Sequence, residues 1–195
     1  MKLNLNETKR LLVVIDLVNG FVREGAMADR HIEHIIAESE RLVNKFLEEG
    51  YEVVYVKEGH DENATEFKKF PKHCVAGTSE AEMVEELVKY QDKVLVFIKN
   101  STSAMAAEYG LPAMLNAMEN LEEVVIIGCC TDICVLNCAI PMQNYFDEFN
   151  REVTIVVPKN AVETYDAPNH PRDEYNEIAF KLLTQAGVKV VNEYN

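Results

Sequence analysis

Three observations predict an α/β fold, a three-layer sandwich with a six-stranded, mostly parallel central sheet and helices on both faces. Short apolar runs and helix-period patterns alternate six times along the 195 residues, and such alternation implies right-handed crossovers and a parallel sheet. The apolar runs are near-continuous, as in strands buried on both faces; alternation would mark a half-exposed sheet. No repeat, low-complexity tract or linker interrupts the pattern. Residues 1–195 therefore read as a single domain, within the usual size of roughly 100–200 residues.

Residues 10–17 (RLLVVIDL) form the first strand. Over residues 29–49 the apolar positions Ile32, Ile35, Ile36, Leu42, Val43, Phe46 and Leu47 share one helical face, and Gly50 supplies a helix stop. Residues 51–57 (YEVVYVK) are the second strand, followed by a polar, irregular stretch over 58–78. Ser79 and Glu82 have the spacing of a capping box, which opens a short helix ending near Tyr90. Residues 93–99 (KVLVFIK) are the third strand, and Leu111, Met114, Leu115 and Met118 mark the apolar side of the next helix. Residues 123–128 (EVVIIG) make the fourth strand, with a helix starting near Thr131 that Pro141 should kink or end. Residues 152–158 (EVTIVVP) are the fifth strand, 171–186 the last helix and 188–192 the sixth strand.

Composition narrows the function. A formal net charge of −14 argues against nucleic acid, because phosphate binding needs clustered Lys and Arg. The polar start MKLNLNETKR carries no targeting segment, and no apolar run approaches the roughly 20 residues that span a bilayer. Five cysteines, an odd number, read as free thiols in a reducing cytoplasm.

In parallel sheets the ligand crevice lies at the carboxyl ends of the strands, which singles out Asp16, Glu58, Lys99 and the residues after Gly128. Cys134 lies in G-C-C-T-D-I-C-V, just after a strand and in the first turn of a helix. Unpaired amides and the helix dipole there favour a thiolate and can hold an oxyanion. The alternative is packing, since Cys130, Cys134 and Cys138 recur every four residues and cysteines are commonly buried as small apolar residues. An Asp and a Lys at neighbouring strand ends, Asp16 and Lys99, provide the base and electrostatic partner that a nucleophile needs. The loop after the second strand offers Glu58, His60, Glu66 and His73, a mixed nitrogen and oxygen set suited to Zn²⁺ or a similar divalent ion. His31 and His34, on the long amphipathic helix, and His170, in a Pro-bounded loop, receive no role.

These residues resemble the isochorismatase-like cysteine hydrolases and, within them, the nicotinamidases, over nearly the whole length. V-V-I-D-L-V-N-G-F is similar to the segment bearing the family's catalytic Asp, K-N-S-T-S-A to that bearing its Lys, and G-C-C-T-D-I-C-V to the nucleophile segment. The resemblance implies a catalytic triad of Asp16, Lys99 and Cys134. It implies a cis peptide between Cys129 and Cys130, and an oxyanion hole from the backbone amides of Cys130 and Cys134. F-P-K-H-C-V-A-G-T-S and E-G-H resemble the nicotinamidase metal segments, which implies His73, Glu58 and His60 as ligands, with Glu66 matching an acidic ligand of some members. In the family the metal holds the pyridine nitrogen, and Phe21 and Phe70 match the aromatic positions that flank the ring. Phe21 also reads as plain core packing. Glu58 stands where the family usually has Asp, the stretch between His60 and Glu66 is shorter, Phe70 replaces a frequent Trp, and Met105 stands where an aromatic is common.

The resulting expectation is a nicotinamidase making nicotinate and ammonia through a thioester, with a divalent metal, a small-molecule amide substrate and, as in relatives, a homo-oligomer. The rival enzyme is another amidase of the family acting on a carbamoyl or ureido compound; such relatives generally lack the metal histidines. Isochorismatase activity would not need the Cys. A non-catalytic metal or thiol scaffold using Cys129, Cys130, Cys134 and Cys138 is the reading from a different class, and its spacing is not that of a zinc knuckle.

Overall fold

The computed structural model describes residues 5–106 and 110–195. Along the chain run β1 (Arg10–Ile15), α1 (Asn19–Val22), α2 (Ile36–Glu48), β2 (Glu52–Glu58), α3 (Glu85–Val88), β3 (Leu95–Lys99), α4 (Leu111–Ala117), β4 (Glu123–Cys129), α5 (Leu136–Glu148), β5 (Thr154–Pro158), β6 (Val162–Glu163), α6 (Arg172–Gln185) and β7 (Lys189–Val191). The sheet order is β3-β2-β1-β4-β5-β7, with every pair parallel. The short β6 is a seventh strand beyond the six expected. It takes over beside Gly128 and Cys129 of β4 after β5 has paired with residues 123–125. Two residues are too few to leave a hydrophobic run in the sequence.

Successive side chains of the central strands point to opposite faces, so each strand feeds two cores. Leu12, Val14, Val125 and Ile127 pack with Ile36, Leu42, Val43 and Phe46 of α2 on one face. Leu11, Val13, Ile15, Val124 and Ile126 pack on the other face with α4, α5 and α6. That is the three-layer sandwich. The order of strands reverses at β1, whose neighbours are β2 and β4, and the crevice of such a fold opens at this switch point.

Three local expectations are corrected. The stretch 29–49 is not one α-helix: Arg30–Ile35 is a 3-10 turn, capped by the Asp29 side chain accepting from the His31 amide (2.9 Å), before α2 begins. Ser79 does not open a capped helix. Residues 82–84 are extended because they bond to the segment after β1, Asn19 N to Glu82 O (2.9 Å) and Val84 N to Leu17 O (3.0 Å), and only the single turn α3 follows. Pro141 does not end α5, which continues to Glu148; the Asn137 carbonyl that lost its helical donor accepts from Ser103 Oγ at 2.7 Å.

Candidate active site

Asp16, Glu58 and Lys99 reach one point because they end three adjacent strands. Asp16 directly follows β1 in the left-handed region (φ 50°), a conformation that Asp tolerates better than most residues. Its amide bonds to Val56 O at 2.9 Å. Lys99 ends β3 opposite Glu58 of β2. Its ammonium lies 2.8 Å from Asp16 Oδ2 in an ion pair and donates to Glu58 Oε1 at 2.7 Å and to Cys134 Sγ at 3.8 Å. Cys134 Sγ is also 3.9 Å from Glu58 Oε1. All four side chains are buried.

One cation among two carboxylates and a thiol, out of water, sets the electrostatics. Burial pushes the Asp16 carboxyl up to about 6, against the pull of Lys99. Burial also opposes ionisation of Glu58, yet the Lys99 ammonium beside it holds its carboxyl well below the usual carboxylate range. Desolvation works against the Lys99 charge, but Asp16, Cys134 and Glu58 around it keep its pKa well above that of a free lysine. The Cys134 thiol is pushed well above its ordinary value by burial, which outweighs Lys99. This direction is opposite to the lowering that the helix end is expected to give.

The turn that carries Cys134 is built by backbone constraints. Gly128 has φ 118°, and a Cβ there would sit 1.9 Å from the Ile15 carbonyl oxygen, so only glycine lets β4 end beside β1. The Cys129–Cys130 peptide is cis. Residues Thr131–Val135 form a π-turn that runs into α5, and the amides flanking Cys134, those of Ile133 and Val135, both donate to the Cys130 carbonyl at 3.1 Å. Cys129, Cys130 and Cys138 are buried without disulfides. Of these only Cys130 joins Cys134 in lining the pocket.

Beside the thiol, Glu58, His60 and His73 bring their ligand atoms within 4.8 Å of one another. His60 Nε2 and His73 Nε2 each lie 3.0 Å from Glu58 Oε2. His73 Nδ1 faces the Pro71 carbonyl (2.7 Å) and His60 Nδ1 faces Asn100 Oδ1 (3.3 Å). An oxygen of that kind only accepts, so each Nδ1 donates and, in the neutral ring, each Nε2 points a lone pair at the same carboxylate oxygen. Three acceptors facing one another call for a cation between them, and an imidazole, imidazole and carboxylate set fits a divalent metal. Glu66 stands outside this trio. One of its oxygens accepts from the Thr102 hydroxyl, and the other, Oε2, is buried without a hydrogen-bond partner among the described residues.

A small pocket is lined by Phe21, Met27, Glu58, Glu66, Phe70, His73, Thr102, Cys130, Ile133 and Cys134. Phe21 is buried with its ring 5.5 Å from that of His73, and the Phe70 ring lies 6.3 Å from His73 at 82°. The sequence pointed to neither Phe67, whose ring packs on both His60 (5.2 Å) and His73 (5.7 Å), nor Met27. It also passed over His170, which is stacked between Tyr165 and Tyr175 and bonds through Nε2 to Asp132 Oδ2 (2.9 Å), two residues before the thiol. The T-D-I-C string could have flagged Asp132; its partner lies too far along the chain to be read.

The Isochorismatase domain profile matches residues 10–193. Nicotinamidase 1 of Arabidopsis thaliana is 24% identical over 93% of this chain and 85% of its own length. The crystal structure of nicotinamidase/pyrazinamidase PncA from Bacillus subtilis superimposes with a TM-score of 0.78 at 27% identity, covering 94% of this chain and 100% of that one. That of N-carbamoylsarcosine amidase from Thermoplasma acidophilum does so with a TM-score of 0.73 at 25% identity, covering 94% and 96%. A profile that spans nearly every element, on a sheet whose strand ends converge on a buried thiol, places the chain in the isochorismatase family of hydrolytic enzymes.

Proposed function

We propose that the protein is a nicotinamidase, converting nicotinamide and water to nicotinate and ammonia and so serving NAD salvage. The observation that carries this reading is that the thiol of Cys134 and two members of a metal-type ligand trio, Glu58 and His73, line one small pocket together with Phe21 and Phe70. Glu58, His60 and His73 would hold the metal, Zn²⁺ being the ion such ligands favour, with Glu66 facing the same pocket. When bound, the metal supplies a Lewis-acid seat for the ring nitrogen of an aromatic amide.

Asp16 takes the thiol proton as Cys134 Sγ attacks the amide carbon; its raised pKa makes it a stronger base than an ordinary carboxylate. Lys99 keeps the resulting negative charge paired throughout. The amides of Cys130 and Cys134 stabilise the oxyanion of the tetrahedral intermediate. Its collapse forms the thioester and breaks the C–N bond, Asp16 returning the proton to the departing ammonia. Water, deprotonated by Asp16, then attacks the thioester, and Cys134 leaves to recover its proton.

Hydrolysis of a carbamoyl compound, as the name of the Thermoplasma relative says of that protein, is the second reading, favoured by the shared fold and fit of the chain. Against it stands the trio of Glu58, His60 and His73, which a ureido substrate does not need. Ammonia release from nicotinamide and from N-carbamoylsarcosine by the metal-loaded protein separates the two. Turnover of nicotinamide is expected, falling at least about 1,000-fold in Cys134→Ala. No nicotinamide turnover by wild type would sink the substrate, and full activity in the variant would sink the mechanism.

A further inference from the structure

A second group of convergent ligands lies outside the pocket, on residues that the catalytic reading leaves without a task. In a 3-10 turn residues three apart eclipse, so His31 and His34 stand one above the other on Arg30–Ile35, their ring centroids 4.8 Å apart. Both face Glu163, the last residue of β6. His31 Nε2 and His34 Nε2 lie 3.5 and 3.6 Å from Glu163 Oε2, and all three ligand atoms lie within 4.8 Å of one another.

The hydrogen bonds around them prepare the group for a cation. His34 Nδ1 lies 2.6 Å from the His31 carbonyl oxygen, which only accepts. Nδ1 therefore carries the hydrogen, and in the neutral ring Nε2 turns its lone pair toward the Glu163 carboxylate. For His34 this is the same lone-pair opposition that marks His60 and His73 against Glu58. Glu163 is held in place by its other oxygen: Oε1 accepts from the Thr164 amide (2.8 Å) and Asn176 Nδ2 (2.6 Å), and the side chain is only 8% exposed. Arg172, the nearest cation, approaches Oε1 at 4.0 Å. Oε2 is left to the histidines. Ligands about 2.0–2.1 Å from a tetrahedral ion stand about 3.3–3.4 Å apart, close to the separations found here. The half-exposed rings leave the remaining position open to water.

We propose that His31, His34 and Glu163 form a second metal site, for a divalent ion of the class that prefers nitrogen with a hard oxygen, such as Zn²⁺ or Ni²⁺, and not Mg²⁺ or Ca²⁺. The ion would clip the 3-10 turn to β6. Glu163 is in register with Cys129, so the clip closes beside the strand end from which the nucleophile turn departs.

The test counts Zn²⁺ bound to the metal-stripped full chain, by equilibrium dialysis with elemental analysis, in wild type, His34→Ala, His73→Ala and the double variant. The expected counts are two, one, one and none, with Glu163→Gln behaving as His34→Ala and circular dichroism unchanged throughout. In the His73→Ala background Zn²⁺ should also raise Tm, an effect lost when His34→Ala is added. One ion retained in His73→Ala and lost with His34 would support this site even if the buried trio binds nothing. A binding curve for His34→Ala and Glu163→Gln equal to that of wild type would overturn the proposal.

Discussion

Lys99 carries more of this site than any other single residue. Its ammonium neutralises two buried carboxylates and reaches the thiol, and none of these groups has water to fall back on. Removing one partner of a buried ion pair leaves an uncompensated charge, at a cost of about 3–5 kcal/mol. Lys99→Met should therefore lower unfolding stability by that order in urea titrations, besides abolishing turnover; a loss below about 1 kcal/mol would show the carboxylates are not held as described. Asp16 fixes the pH profile. Burial raises its pKa from 3.8 to about 6, and only the ionised form accepts the thiol proton. The kcat/KM profile should fall tenfold per pH unit below about 6, with no such limb near pH 4. Asp16, Lys99 and Cys134 were legible because each stands beside or after an apolar run. The bridging by Glu58, one oxygen on Lys99 and the other on two histidines, was not, since it depends on where three strands end in space.

Elements were legible where local pattern and tertiary packing agree. The long apolar runs became β1, β2, β4 and β5 within two residues of expectation because strands buried on both faces have no polar alternation to mislead. Ser79 and Glu82 show the reverse. Their spacing suits a capping box, but bonds from Leu17 and Asn19 pull residues 82–84 straight. Pro141 likewise breaks helices in isolation, and Ser103, far along the chain, supplies the missing donor. Gly128 marks the tightest junction. Gly128→Ala would push a methyl group into the Ile15 carbonyl at an unfavourable φ and should cost about 3 kcal/mol or more, measured as a fall in Tm, with activity lost even where the fold survives. Unchanged Tm would mean that β4 can end further from β1.

At the scale of the whole molecule, two apolar cores on either side of one sheet make folding independent of metal. Chelation should abolish nicotinamide turnover while leaving the far-UV circular dichroism of a folded protein, and added Zn²⁺ should restore the rate. A scaffold held by metal and thiols would instead unfold. Among the described residues no helix is long and apolar enough to cross a membrane. The strand-order reversal at β1 places the crevice at the carboxyl ends of β1, β2 and β4.

The amino-acid sequence by itself determined the layered α/β architecture, the approximate strands, and the identities of Asp16, Lys99 and Cys134, because burial on both faces of a strand and the chemistry at its end are local properties. Only the tertiary structure decided that burial raises the pKa of the thiol, that Glu58 joins Lys99 to two histidines, and that His31, His34 and Glu163 face one another. Those outcomes depend on burial and on angstrom-scale contacts between residues far apart in the chain, and neither is written in a local pattern.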